Sequence, residues 1–199
     1  MSETLPTSFT FTPDNLATAK QVIARYPAGR QQSAVMPLLD LAQRQEGWLP
    51  IAAIEAVAEM LEMAPIRVQE VATFYTMYNL NKVGTNHVQV CTNICCLLKG
   101  SDEIVRAAKE ALGVDWGETT ADGRFTLSEV ECLGACVNAP MMQINDDYYE
   151  DLTPESTKAV LDALKQGKTP KPGSQSGRQN SAPEGGPTTL TELSFGEKA

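Results

Sequence analysis

Apolar residues recur at helical spacing from residue 12 to residue 78, and from residue 85 onward they alternate with polar ones. The change of period predicts a helical region followed by a sheet with helices against it. Thr12-Pro13 is an N-cap and first-turn pair, opening a helix that runs to about Tyr26 before Pro27-Ala28-Gly29 ends it. A second helix begins near Ser33, carries Pro37 in its first turn and stops by Gly47. The third starts at Pro50, with Ile51, Ile54, Val57 and Leu61 on one stripe. The fourth runs from Pro65 to about Tyr78, with Val68, Val71, Phe74 or Tyr75, and Tyr78 as its stripe. Short amphipathic helices with tight connections predict a small bundle over residues 12–84, serving as scaffold or docking surface. Residues 1–11 lack the pattern and are expected to be disordered.

Over residues 85–168, Val88 and Val90 alternate with Gln89 as strand residues do. Ser101, with Asp102 and Glu103 behind it, opens a helix that Gly113 closes. Further strands are expected at Phe125–Val130, Met141–Ile144 and Tyr148-Tyr149, the last two joined across Asn145-Asp146-Asp147. Thr153-Pro154 starts a final helix carrying Val160, Leu161 and Leu164 and ending at Gly167. The order β-α-β-β-β-α predicts an α+β (or α/β) domain, a four-stranded sheet with helices against it, as in thioredoxin-like folds. Residues 169–199 are rich in Pro, Gly and Ser and nearly without apolar periodicity, so this tail is expected to be extended or disordered by itself and to order on a partner.

Composition narrows the function. With 42% hydrophobic and 21% charged residues among 199, the chain reads as a globular protein of one ordinary domain, or of one domain plus an accessory unit. A formal charge of −9 without a Lys/Arg cluster argues against nucleic acid and against an anionic membrane surface. No apolar run approaches the ~18–20 residues of a membrane span; IAAIEAVAEMLEMAPI is broken by Glu55, Glu59 and Glu62. Direct membrane insertion is not expected. The N-terminus lacks the look of a secretory signal or a transit peptide, which predicts a reducing compartment.

Four of the five cysteines form two pairs, Cys91-x4-Cys96 and Cys132-x3-Cys136, each following a predicted strand in a loop rich in Gly, Asn or Pro. Thiolate is the softest protein ligand, and four thiolates are what zinc or an iron–sulfur cluster requires. Structural zinc favours tight C-x2–4-C knuckles; one spacing here is longer, and no histidine lies near the second pair. Thiol–disulfide exchange usually presents C-x-x-C, which is absent. A [2Fe–2S] cluster needs two thiolates on each of two irons, and two loops offering one pair each supply that arrangement. Spacing alone leaves either Cys95 or Cys96 as the ligand. His87 is the lone histidine and reads as a surface residue, while Asp146, Asp147, Glu150 and Asp151 read as a hairpin tip. No G-x-G-x-x-G, Walker loop or nucleophile elbow occurs, so NADH is not expected to bind recognisable residues of this chain.

At these residues the chain resembles the NuoE-type, or 24 kDa flavoprotein-fraction, subunits of respiratory complex I. The likeness spans nearly all of residues 10–180 and rests on HVQVCTNICC, on GETTADGRFTLSEVECLGACVNAPMMQINDDYYEDLT and on the tail segment KPGSQSGR. The resemblance implies an N-terminal helical bundle followed by a thioredoxin-like domain holding one [2Fe–2S] cluster. It maps the ligands onto Cys91 and Cys96 for one iron and Cys132 and Cys136 for the other, with Cys95 a spectator and no catalytic residue. It also implies a flavoprotein partner carrying FMN and the NADH site, a neighbouring large iron–sulfur subunit, and an electron-carrier role in proton-pumping NADH:quinone oxidoreductase. Leu97, Gly134, Ala135, Val137 and Ala139 are expected to exclude water and present backbone N–H groups to the sulfurs. The implied location is the cytoplasmic side of a bacterial inner membrane, or the matrix side for a processed organellar form. The homologous subunit of a soluble NAD-linked formate dehydrogenase or hydrogenase is the alternative, and a zinc-stabilised non-redox adaptor is the alternative from another class.

Overall fold

A computed structural model describes residues 6–183 together with 185, 186, 188, 189 and 191. Packing divides the chain between Val83 and Gly84 into two compact units.

The first unit is helical. α1 spans Pro13–Ile23, and the Thr12 side chain accepts the Asn15 N–H as expected of an N-cap. The helix finishes short of Tyr26 because the Arg25 and Tyr26 N–H groups reach back only three residues, to the Val22 and Ile23 carbonyls. A 3-10 turn at Gln31–Ala34 leads into α2, Val35–Glu46, which Gly47 ends at φ 82°. α3 is Ile51–Met60 and α4 is Pro65–Phe74. α4 stops four residues before the expected end because Gln43 captures the chain beyond it. Its amide donates to the Met77 carbonyl and its oxygen accepts the Asn79 N–H. Tyr78 is buried, but from this turn rather than from a helical stripe, with its hydroxyl on the Met36 carbonyl.

Leu38, Leu39, Val57, Leu61 and Val68 centre the core of this unit. Each such side chain removed from water contributes about 1.5–3 kcal/mol. The disorder expected over residues 1–11 needs correction where the chain is described. Phe11 belongs to that core, and Phe9 stacks edge-to-face on it at 4.9 Å, because two aromatic rings bury enough area to order the segment. Residues 1–5 lie outside the described residues.

The second unit is a five-stranded mixed sheet in the order β2-β1-β3-β4-β5. β1, Asn86–Cys91, pairs parallel with β2, Phe125–Val130, and antiparallel with β3, Met142–Ile144. β4, Asp147–Glu150, completes the hairpin across Asn145, whose φ is 54°. A short α5, Ile94–Leu98, and then α6, Ser101–Leu112, form the crossover between the parallel strands. α6 packs beside α7, Pro154–Lys165. Alternate strand residues Val88, Val90, Phe125, Leu127, Met142 and Ile144 meet Ile104, Val160 and Leu161 in this unit's core. Polar residues such as Gln89, Ser128 and Gln143 take the other positions, as a period of two requires.

Besides the unexpected α5, two features differ from expectation. Gly100, at φ 92°, takes the N-cap position of α6, and Ser101 is its first residue. The sheet gains a two-residue strand, β5 at Gly173–Ser174, parallel to β4 and drawn from the tail. The part of the tail through Ser181 therefore lies against the domain, held by polar bonds; residues 184, 187, 190 and 192–199 lie outside the described residues.

Candidate metal centre

Parallel pairing puts the C-terminal ends of β1 and β2 at one edge of the sheet, where open α/β sheets bind their ligands. Cys91 is the last residue of β1 and pairs with Val130. Cys132 lies two residues beyond β2, Cys96 lies on α5, and Cys136 opens a 3-10 turn at Cys136–Asn138. α5 exists because the Asn93 side chain caps it, accepting the Ile94 N–H at 2.9 Å. The two cysteine loops are tied together: Thr92 donates to Glu129 at 2.7 Å and Asn93 to Glu131 at 2.5 Å.

The thiols converge as two pairs. Cys91 and Cys96 are each 2% exposed and share a small apolar cluster with Ala139 and Met141. Burial pushes the Cys96 thiol up to about 12, helped by the adjacent Cys91, while a Met141 N–H pulls the other way. Cys132 and Cys136 are exposed, with sulfurs 3.3 Å apart. The contact shifts the two thiols in opposite directions. The Gly134 N–H, 3.4 Å from the Cys132 sulfur, holds that thiol below its ordinary value, and the Cys132 contact drives Cys136 up to about 11. Cys95 is half-buried and interacts with Cys136.

The donor set fits a two-iron centre. Among the described residues no group of three or more His, Cys, Asp or Glu converges as a single-ion site. Two thiols per loop, with the loops hydrogen-bonded to each other near their bases, are a donor set that could hold two metals side by side. Cys132 and Cys136, with their sulfurs 3.3 Å apart, would hold one metal as a neighbouring thiolate pair.

Of the residues expected to shield the site, Ala139 is buried, whereas Gly134, Leu97 and Val137 are exposed, the last two at 49% and 63%. Gly134 does present its N–H to sulfur. His87 is a half-buried strand residue bonded to Ser128 at 2.8 Å and stands apart from the thiols in the sheet register. Sequence reasoning missed Tyr148 and Arg178, whose side chains donate to the Leu133 and Val137 carbonyls of the second cysteine loop. The only available signal was the KPGSQSGR segment that ends in Arg178.

A parallel-crossover sheet carrying two loop-borne thiol pairs at one edge defines a small redox-metal protein of thioredoxin-like architecture. The sequence profile of the thioredoxin-like [2Fe-2S] ferredoxins matches residues 19–165, and the chain belongs to that family. It is 59% identical over 160 residues, 80% of this chain and 96% of the relative, to the NADH-quinone oxidoreductase E subunit of Rickettsia bellii. Over 191 residues, 96% of this chain and 77% of the relative, it is 52% identical to the mitochondrial NADH dehydrogenase [ubiquinone] flavoprotein 2 of Dictyostelium discoideum. Among solved structures, an NAD+-reducing [NiFe]-hydrogenase in the H2-reduced state matches with a TM-score of 0.59 at 18% identity, over 69% of this chain and 23% of that one. That likeness is one of fold.

Proposed function

We infer that the chain is the [2Fe–2S] electron-carrier subunit of an NADH:quinone oxidoreductase. Cys91 and Cys96 bind one iron, and Cys132 and Cys136 bind the other. The observation that carries this reading is the pairing of buried and exposed thiols at one sheet edge, in a chain 59% identical to the Rickettsia bellii oxidoreductase component. When bound, the cluster supplies one-electron, outer-sphere transfer, which needs proximity and little reorganisation rather than an acid or base. The protein's part is to hold the sulfurs, tie the loops through Thr92–Glu129 and Asn93–Glu131, and direct N–H groups at sulfur to set the potential. Its partners are the FMN- and NADH-binding flavoprotein subunit and the large iron–sulfur subunit. Among the described residues no helix is long and apolar enough to cross a membrane, so attachment through those partners, on the cytoplasmic or matrix side, completes the reading. The hydrogenase alternative is favoured by fold likeness alone, against 52–59% identity to respiratory subunits.

The test is iron and acid-labile sulfide per chain in anaerobically purified protein, with an EPR spectrum after dithionite reduction. About two irons, two sulfides and an S = ½ signal are expected. Cys132→Ser and Cys136→Ser should weaken or abolish both, while Cys95→Ser leaves the stoichiometry intact. Zinc without sulfide in protein never exposed to oxygen would overturn the reading in favour of a structural adaptor.

A further inference from the structure

The two thiol pairs are held in place by different means. Cys91 and Cys96 sit in apolar packing, but the Cys132–Cys136 loop is exposed, bends through Gly134 at φ 86°, and turns Val137 to solvent. Burial does little to fix its geometry. Three hydrogen bonds to its backbone carbonyls do so instead. Tyr148 donates to Leu133 O at 2.8 Å, the Asp151 N–H to Asn138 O at 2.7 Å, and the Arg178 guanidinium to Val137 O at 3.0 Å.

Arg178 comes from the tail, and its position is over-determined. Its second nitrogen pairs with Asp151 at 2.8 Å, the two side chains being 9% and 7% exposed. The other Asp151 oxygen accepts from Ser174 at 2.6 Å and from Asn138 at 3.3 Å. Asn138, itself buried, also donates to the Asn180 carbonyl at 2.7 Å, and the Ser174 hydroxyl accepts the Arg178 N–H at 3.1 Å. The network closes on itself and links residues 174–180 to the two residues that follow Cys136.

We propose that residues 173–181 are a strap that positions the Cys132–Cys136 loop, with Arg178 as its pin. Gly, Ser, Gln, Arg and Asn make up the whole of this segment, so it brings almost no apolar surface to the core. A buried ion pair is weak evidence for net stability but specifies geometry. Here it fixes the two residues that follow Cys136 and, through the loop, the aim of the Gly134 N–H at sulfur. Partners outside the ligand set typically change metal affinity by about 10–100-fold when removed. The proposal rests on Cys132 and Cys136 being ligands.

The test uses the full chain with its cluster. One variant is Arg178→Met. A second combines Arg178→Gln with Asp151→Asn, so that no buried charge is stranded and Asn tolerates the φ of 50° at position 151. Both should lose cluster absorbance about 10–100-fold faster than wild type under an anaerobic iron chelator, and both should shift the EPR g values and the midpoint potential. Arg178→Lys should fall between, since an ammonium does not span Asp151 and the Val137 carbonyl as a guanidinium fork does. Wild-type loss rate, g values and potential in both variants would overturn the strap. Faster loss with unchanged g values and potential would reduce it to general destabilisation and also overturn it. A Cys136→Ser variant in the same series separates the premises: native iron, sulfide and spectrum there would refute the ligand assignment, and the strap with it.

Discussion

Gly84 is a residue whose role lies in what it lacks. A Cβ there would meet Arg124 C at 2.8 Å and Phe125 N and C at 2.8 and 2.9 Å, all backbone atoms that cannot swing aside. The approach is close because the Gly84 N–H donates to the Thr126 hydroxyl at 2.7 Å. Gly84→Ala should therefore destabilise the second unit by about 1–3 kcal/mol, read as a lowered urea midpoint. His87 makes a different prediction. Burial holds its imidazole below the usual range, so the unfolded chain takes up a proton first as pH falls. Stability should drop as pH descends from about 6.5 toward the lower folded value, and a His87→Gln variant should show a flatter urea-midpoint profile across that window. That the thiols come as two loop-borne pairs was legible from spacing, although spacing left Cys95 and Cys96 open as alternatives. Tyr148 and Arg178 were not, because nothing in local spacing says which distant side chain reaches a loop carbonyl.

Among elements, α7 follows its sequence closely. Thr153 accepts the Ser156 N–H at 3.2 Å, and the Ser156 hydroxyl accepts the Thr153 N–H at 2.8 Å, a reciprocal capping box. Thr153→Ala should cost about 1 kcal/mol, visible as a lowered thermal midpoint. Long periodic segments such as α6 and β2 were legible for the same reason: their pattern and their burial agree. α5 and β5 were not. Ile-Cys-Cys-Leu-Leu is apolar all round and shows no stripe, its one signal being the Asn93 cap, and a two-residue strand has no period at all. The overrun at α4 has another cause, since the periodic stripe continued to Tyr78 while Gln43, from α2, had already drawn the chain out of the helix.

At the scale of the molecule, each unit has its own core, one drawn from residues 11–78 and the other from residues 88–161. Leu38→Ala should cost about 2–5 kcal/mol in the helical unit by cavity formation. Iron and sulfide per chain should not change in that variant, because all five cysteines belong to the other unit. The parallel register of β1 and β2 also sets what a change of length in this chain would disturb. The connection from Gly113 to Arg124 enters β2 at the end of the strands remote from the thiols, and its residues 117–120 bond back to Phe125 and Leu127, so a change of length there first breaks those local bonds rather than the cysteine loops. One residue inserted between Phe125 and Val130 would turn over the side chains that follow it and carry Cys132 out of line with Cys91. A change of length before Phe125 is felt locally, and one after it is felt at the cysteines.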